Sequence, residues 1–167
     1  MLGDGHWITA SAFLAGTMGA IMLEDMRHMR VPNAWTLPAA IGGFVAVATE
    51  AETTGLAPLT AVGHSVVSLI LCGGVFHLLR EAYFRWRGVE GLGLGDVKLA
   101  ATGGIWVGWE IFPAVVMLSA IGAMLWIAAM VALRRGWPRE RRIPFGAFLA
   151  PAIWICWLYA HATAGSL

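Results

Sequence analysis

The chain has 167 residues, of which 59% are hydrophobic and 13% charged, and its net charge is +1. A soluble domain is typically about 45–50% apolar and about 25% charged, so this chain has about half the charge that a water-facing surface needs. With only two cysteines and no basic excess, the composition excludes a disordered chain, a nucleic-acid-binding protein and a secreted disulfide scaffold. The composition therefore indicates a polytopic membrane protein with one domain, residues 1–167.

Long stretches without Asp, Glu, Lys or Arg locate the predicted helices. Five of them are 19 to 27 residues long, and in chain order they are residues 5–23, 31–49, 53–79, 111–133 and 143–167. A helix needs about 20 apolar residues to span a bilayer. A sixth stretch, residues 99–109, has 11 residues, so it either fails to span or draws Asp96 and Lys98 into the membrane. The sequence therefore predicts an all-α bundle of six transmembrane helices.

Charge segregates between the two ends of these predicted helices. All 11 Lys and Arg residues fall in the loops after the first, third and fifth helices. The opposite ends carry acidic residues and no basic ones: Asp4, Glu50, Glu52 and Glu110. By the positive-inside rule, the three basic loops face the cytoplasm and both termini lie outside.

The last basic loop is the most strongly charged of the three. Its arginines are Arg134, Arg135, Arg139, Arg141 and Arg142. We expect this loop to fix the topology and to contact anionic membrane lipid.

Two acidic residues stand out by position. Asp25 closes the first predicted helix and Asp96 opens the short fourth one, both at the cytoplasmic face. An acid at membrane depth costs about 2.5–3.5 kcal/mol, so it is a functional candidate. Two neighbouring carboxylates share one proton, because both cannot ionise cheaply. The ionised member can then take a proton from water while the other donates to a peptide carbonyl, as in aspartic proteases, without a metal or cofactor.

Other roles for the two acids stay open on these residues alone. Asp25 could be balanced by Arg27, and Asp96 could pair with Lys98 or cap its helix. The same bundle could also be a small transport or pilus-assembly subunit in which Asp25 and Asp96 handle protons or cations.

Three segments carry a family resemblance. They are Asp-Met-Arg-His-Met-Arg-Val-Pro-Asn at 25–33, Gly-Leu-Gly-Asp-Val-Lys-Leu at 93–99 and Ile-Pro-Phe-Gly-Ala-Phe-Leu-Ala at 143–150. In this order they resemble the motifs of the type IV prepilin peptidases, which are intramembrane aspartic peptidases of the GxGD type. A further alternative is a catalytically silent homologue that only binds prepilins or lipid.

The resemblance implies one membrane-embedded aspartic peptidase domain in the bacterial inner membrane. It would hydrolyse the Gly-x bond of type IV prepilin or pseudopilin leaders at the cytoplasmic face. Carried over to this sequence, Asp25 and Asp96 would be the catalytic pair. Gly93, Gly95 and Lys98 would contact the substrate, and the glycines would let its backbone approach closely.

The sequence departs from the larger family members at two points. Those members carry an N-terminal segment with Cys-x-x-Cys motifs and also methylate the new N-terminus, whereas Cys72 and Cys156 are isolated within predicted helices. We therefore expect the short form of the family, with no metal, no cofactor and no N-methyltransferase activity. Ala147 stands where proline is common, which we expect to affect helix geometry rather than chemistry. The sequence leaves the oligomeric state open.

Overall fold

The computed structural model describes residues 3–133 and 143–164, and within these ranges it is helical without strands. The helices are α1 (Gly3–His28), α2 (Asn33–Thr54), α3 (Pro58–Arg87), α4 (Leu94–Ala132) and α5 (Gly146–Ala164). All five contain a segment that is long and apolar enough to cross a membrane. The expected all-α membrane bundle is confirmed.

The described part of the chain has five helices where six were predicted. The fourth and fifth predicted helices run together as α4, which has 39 residues and contains one non-helical residue, Gly108. The prediction ended a helix at the charge of Glu110, but the Glu110 carboxylate is hydrogen-bonded to His64 Nε2 at 2.9 Å and the helical backbone continues there. The interruption lies instead at Gly108, whose φ of 73° and ψ of 159° are not helical.

The chain reverses direction at Gly108 and divides α4 into a first arm, residues 94–107, and a second arm, residues 109–132. A Cβ atom built on Gly103 would lie 3.1 Å from the ring of Phe112. In a straight helix, nine residues would separate these positions by about 13 Å along the axis, so the second arm folds back on the first. Its far part reaches the start of α5, where the rings of Trp126 and Phe148 are 6.5 Å apart.

The first arm of α4 lies at the centre of the bundle. Its buried Leu99 and Ala100 belong to the same core as residues of α1 and α5. Small residues let α3 approach closely, since a Cβ atom on Gly104 would lie 2.6 Å from the carbonyl oxygen of Ser68. Such small residues suit helix contacts in lipid, where no hydrophobic force drives helices together. The arm has 14 residues and is about 21 Å long, less than the roughly 30 Å of a hydrocarbon core.

Charge segregates between the two ends of the bundle, as the sequence predicts. One end is where α1 and α3 finish and α4 begins, and it carries the described basic residues Arg27, Arg30, Arg80, Arg85, Arg87 and Lys98. The other end carries Glu50, paired with His161, and Glu110, paired with His64. The five arginines of the last predicted loop, residues 134–142, lie outside the described residues, as does the side chain of Asp4.

Gly108 supplies a stability test of the reversal. Its φ and ψ fall in a region that is essentially restricted to glycine and costs other residues of order 1–3 kcal/mol. We expect Gly108→Ala to lower the midpoint of thermal unfolding in detergent, followed by tryptophan fluorescence. Gly74→Ala is the matched control, because a Cβ atom there meets nothing within 4 Å and α3 is helical at that point. Equal midpoints for the two variants would contradict this account of the turn.

Candidate active site

Asp25 lies in the last turn of α1 and is buried, with 5% of its surface exposed. Its Oδ2 accepts a hydrogen bond of 2.8 Å from the backbone N–H of Ala147 in α5. The helix ends immediately afterwards because Met29 adopts a φ of 54°, a left-handed conformation that is uncommon for residues other than glycine. This turn directs the chain toward Val31 and Pro32.

Asp96 lies in the first turn of α4 and is also buried. Its Oδ2 accepts a hydrogen bond of 3.2 Å from the N–H of Gly93, so the helix cap that the sequence leaves open as an alternative is present. Acidic groups are favoured at this position by the helix dipole. The cap does not occupy the whole carboxylate, because its Oδ1 faces Gly146.

The two acids meet on either side of Gly146. A Cβ atom built on Gly146 would lie 3.0 Å from Oδ2 of Asp25 and 3.1 Å from Oδ1 of Asp96. These two oxygens are therefore at most about 6 Å apart. The structure thus brings together the two acids that the sequence singles out, across 71 residues of chain. Any side chain at position 146 would occupy the space between them.

No basic side chain of the described ranges neutralises either acid. The ion pairs within residues 3–133 and 143–164 join other groups, and neither Arg27 nor Lys98 reaches Asp25 or Asp96. The hydrogen-bond donors to the acids are backbone amides, those of Ala147 and Gly93. In the same part of the chain, no three His, Cys, Asp or Glu side chains are grouped so as to hold a metal ion.

The start of α5 contributes more than sequence reasoning assigned to it. Ala147 was expected to affect helix geometry alone, but its N–H is the hydrogen-bond donor to Asp25. A proline at this position would have no N–H to donate. A pattern of side chains gives no signal for such a contact, because the donor belongs to the backbone.

The three residues predicted to contact substrate each have a contact within the protein. Gly93 donates its N–H to Asp96, and a Cβ atom on Gly95 would lie 2.8 Å from Cβ of Val31. Lys98 Nζ donates to Oδ1 of Asn33 at 3.0 Å and so joins the first motif to the second. Their contact with substrate stays a prediction.

Arg80 is a residue near the site that the sequence analysis did not single out. Its guanidinium pairs with Glu90 at 2.5 Å, and the arginine side chain is 16% exposed. Glu90 belongs to the loop between α3 and α4, which leads directly into Gly93. The pair therefore holds the segment that supplies the amide donor to Asp96.

The hydrogen bond between Lys98 and Asn33 can be tested by a double-mutant cycle. We expect Lys98→Met and Asn33→Ala to be less than additive, with a coupling of about 1 kcal/mol for an exposed hydrogen bond to a charged group. The measurement is the free energy of unfolding in detergent for both single variants and the double variant. Strictly additive effects would show that the contact contributes nothing to stability.

Comparison with known proteins identifies the family. The chain matches the model of the type IV leader peptidase family over residues 12–131, which include Asp25 and Asp96. Among curated proteins it is similar to the prepilin leader peptidase/N-methyltransferase of Aeromonas hydrophila, at 32% identity over 96% of this chain and 53% of that protein. The protein of the same name from Pseudomonas aeruginosa is 37% identical over 90% of this chain and 50% of its own length.

These matches cover most of this chain but only part of each relative. The chain spans about half the length of the curated relatives it matches, including the prepilin leader peptidase/N-methyltransferase of Burkholderia pseudomallei, at 34% identity over 90% of this chain and 46% of the relative. No solved structure matches the chain. The family model covers well over half of the residues, and the chain belongs to the type IV leader peptidase family.

Proposed function

We propose that the chain is an aspartic endopeptidase that hydrolyses the Gly-x bond of type IV prepilin or pseudopilin leaders. The observation that carries the proposal is the approach of two buried carboxylates, Asp25 and Asp96, to the same point beside Gly146. The relatives named prepilin leader peptidase support the substrate class. The proposal assigns the whole chain to one membrane-embedded peptidase domain.

The chemistry needs one proton shared between Asp25 and Asp96. The ionised carboxylate removes a proton from water as the water oxygen attacks the carbonyl carbon of the scissile bond. The protonated carboxylate donates to the carbonyl oxygen, which gives a tetrahedral intermediate. Collapse of this intermediate breaks the C–N bond, and the leaving amine takes up a proton from the pair.

Amide donors hold the two carboxylates while the proton moves. The N–H of Ala147 binds Asp25, and the N–H of Gly93 binds Asp96. Since these donors carry no full charge, they orient the acids without forming an ion pair that would fix the proton. Substrate must enter unwound, because a helical peptide bond is shielded by its own turn.

We also propose that the acids face the cytoplasm of a bacterium from its inner membrane. Support comes from the basic residues, since those that the structure describes lie at the same end of the bundle as Asp25 and Asp96. Both α1 and α5 have their outer ends at the opposite side, where His161 pairs with Glu50. This arrangement supports the assignment of both termini to the outside.

Replacing either acid tests the dyad. We expect Asp25→Asn and Asp96→Asn each to lower cleavage of a prepilin by the purified chain in lipid by at least about 100-fold, the usual contribution of one acid or base. Cleavage is read as the shift of prepilin to its mature size. Glu24→Gln is the matched control, because Glu24 is a partly exposed neighbour of Asp25 that pairs with His28.

The outcomes separate the alternatives. Cleavage by either asparagine variant at the wild-type rate would remove the dyad from the mechanism. If the wild-type chain cleaves no prepilin, the peptidase proposal fails, and proton flux in vesicles then tests the transport role of Asp25 and Asp96.

A further inference from the structure

Val31 is the side chain that borders the space between the two acids. Its Cγ2 lies 2.9 Å from the Cβ position of Gly146, the same position that is about 3 Å from oxygens of both Asp25 and Asp96. On its other side, Cβ of Val31 lies 2.8 Å from the Cβ position of Gly95. The isopropyl group thus sits between two glycines, next to the carboxylates.

The backbone around Val31 is held at both ends. Before it, Met29 takes its left-handed conformation and its N–H closes α1 on the carbonyl oxygen of Asp25 at 2.9 Å. After it, Pro32 has a restricted φ of −77° and Asn33 is hydrogen-bonded to Lys98. Val31 itself is half-buried against the core. The Val31 side chain therefore borders the site in a fixed position.

We propose that Val31 limits the size of the substrate residue that precedes the scissile bond. This inference rests on the proposed function. A peptide bond placed at the point that both carboxylates face would lie beside Gly146 and Val31, and Gly95 lies behind Val31. The two glycines contribute backbone alone, so Val31 is the bulky group that a substrate side chain would meet. A glycine in the substrate has no such side chain and fits against the two methyl groups.

The expected size of the effect follows from ordinary steric discrimination. One methyl or methylene group more or less in a close-fitting apolar site changes kcat/KM by about 10- to 200-fold. The wild-type chain should therefore prefer Gly to Ala before the scissile bond by at least about 10-fold. Shortening Val31 to Ala removes both Cγ methyl groups and should reduce this preference about 10-fold.

The test measures kcat/KM for two prepilins that differ only in having Gly or Ala before the scissile bond. The full chain is purified into lipid as wild type, Val31→Ala, Val31→Thr and Val66→Ala. Val31→Thr keeps the branched shape and should keep the wild-type Gly/Ala ratio. Val66→Ala makes the same change on an exposed face of α3, and its ratio should equal that of the wild type.

A folded Val31→Ala variant with the wild-type Gly/Ala ratio would overturn the inference and leave the peptidase proposal intact. If Val31→Ala does not fold, Val31→Ile decides, because its added methyl group must raise the ratio, and an unchanged ratio overturns the inference. If the wild-type chain cleaves neither prepilin, the proposed function fails and this inference fails with it.

Discussion

The arrangement of the site depends on one contact, the entry of the first turn of α5 between the ends of α1 and α4. A buried carboxylate is costly unless its oxygens are hydrogen-bonded. Here the donors are amides at a helix N-terminus, where the dipole also favours negative charge. Ala147 donates to Asp25, while Gly146 leaves the space between Asp25 and Asp96 clear. Among the residues that the structure describes, backbone amides rather than a cation thus stabilise both acids, which leaves them able to exchange a proton.

Packing of three helices keeps this contact in register. Buried side chains of α1, of the first arm of α4 and of α5 form one core, with Ile21, Leu99 and Leu149 among those that are fully buried. Ile21 lies four residues before Asp25, Leu99 three residues after Asp96, and Leu149 two residues after Ala147. Sites built on packed helices hold their geometry better than sites on loops. The loop residue Val31 joins this frame because Met29 and Asn33 fix its backbone on either side.

The sequence predicts much of this arrangement, and its failures have physical causes. Apolar stretches and the one-sided distribution of Lys and Arg are sufficient to predict the helical bundle and to bring Asp25 and Asp96 to one end. The helix count differs because the fourth and fifth predicted helices run together as α4, and the sequence places their boundary at Glu110, two residues beyond the turn at Gly108. Glu110 is hydrogen-bonded to His64 within the helix, whereas Gly108 turns the chain without any polar signal. The contact of Ala147 was missed since it needs only a backbone N–H.

The first arm of α4 has a consequence for the depth of the site. It is about 21 Å long against roughly 30 Å of hydrocarbon, and because the other helices enclose it, the difference is made up inside the protein rather than by the lipid. At the end of the arm away from Asp96, the side chains of His64, Ser65 and Glu110 are among those that line a cavity of about 420 Å³. The carboxylate of Asp96 and the turn at Gly108 are therefore separated by less than the thickness of a hydrocarbon core.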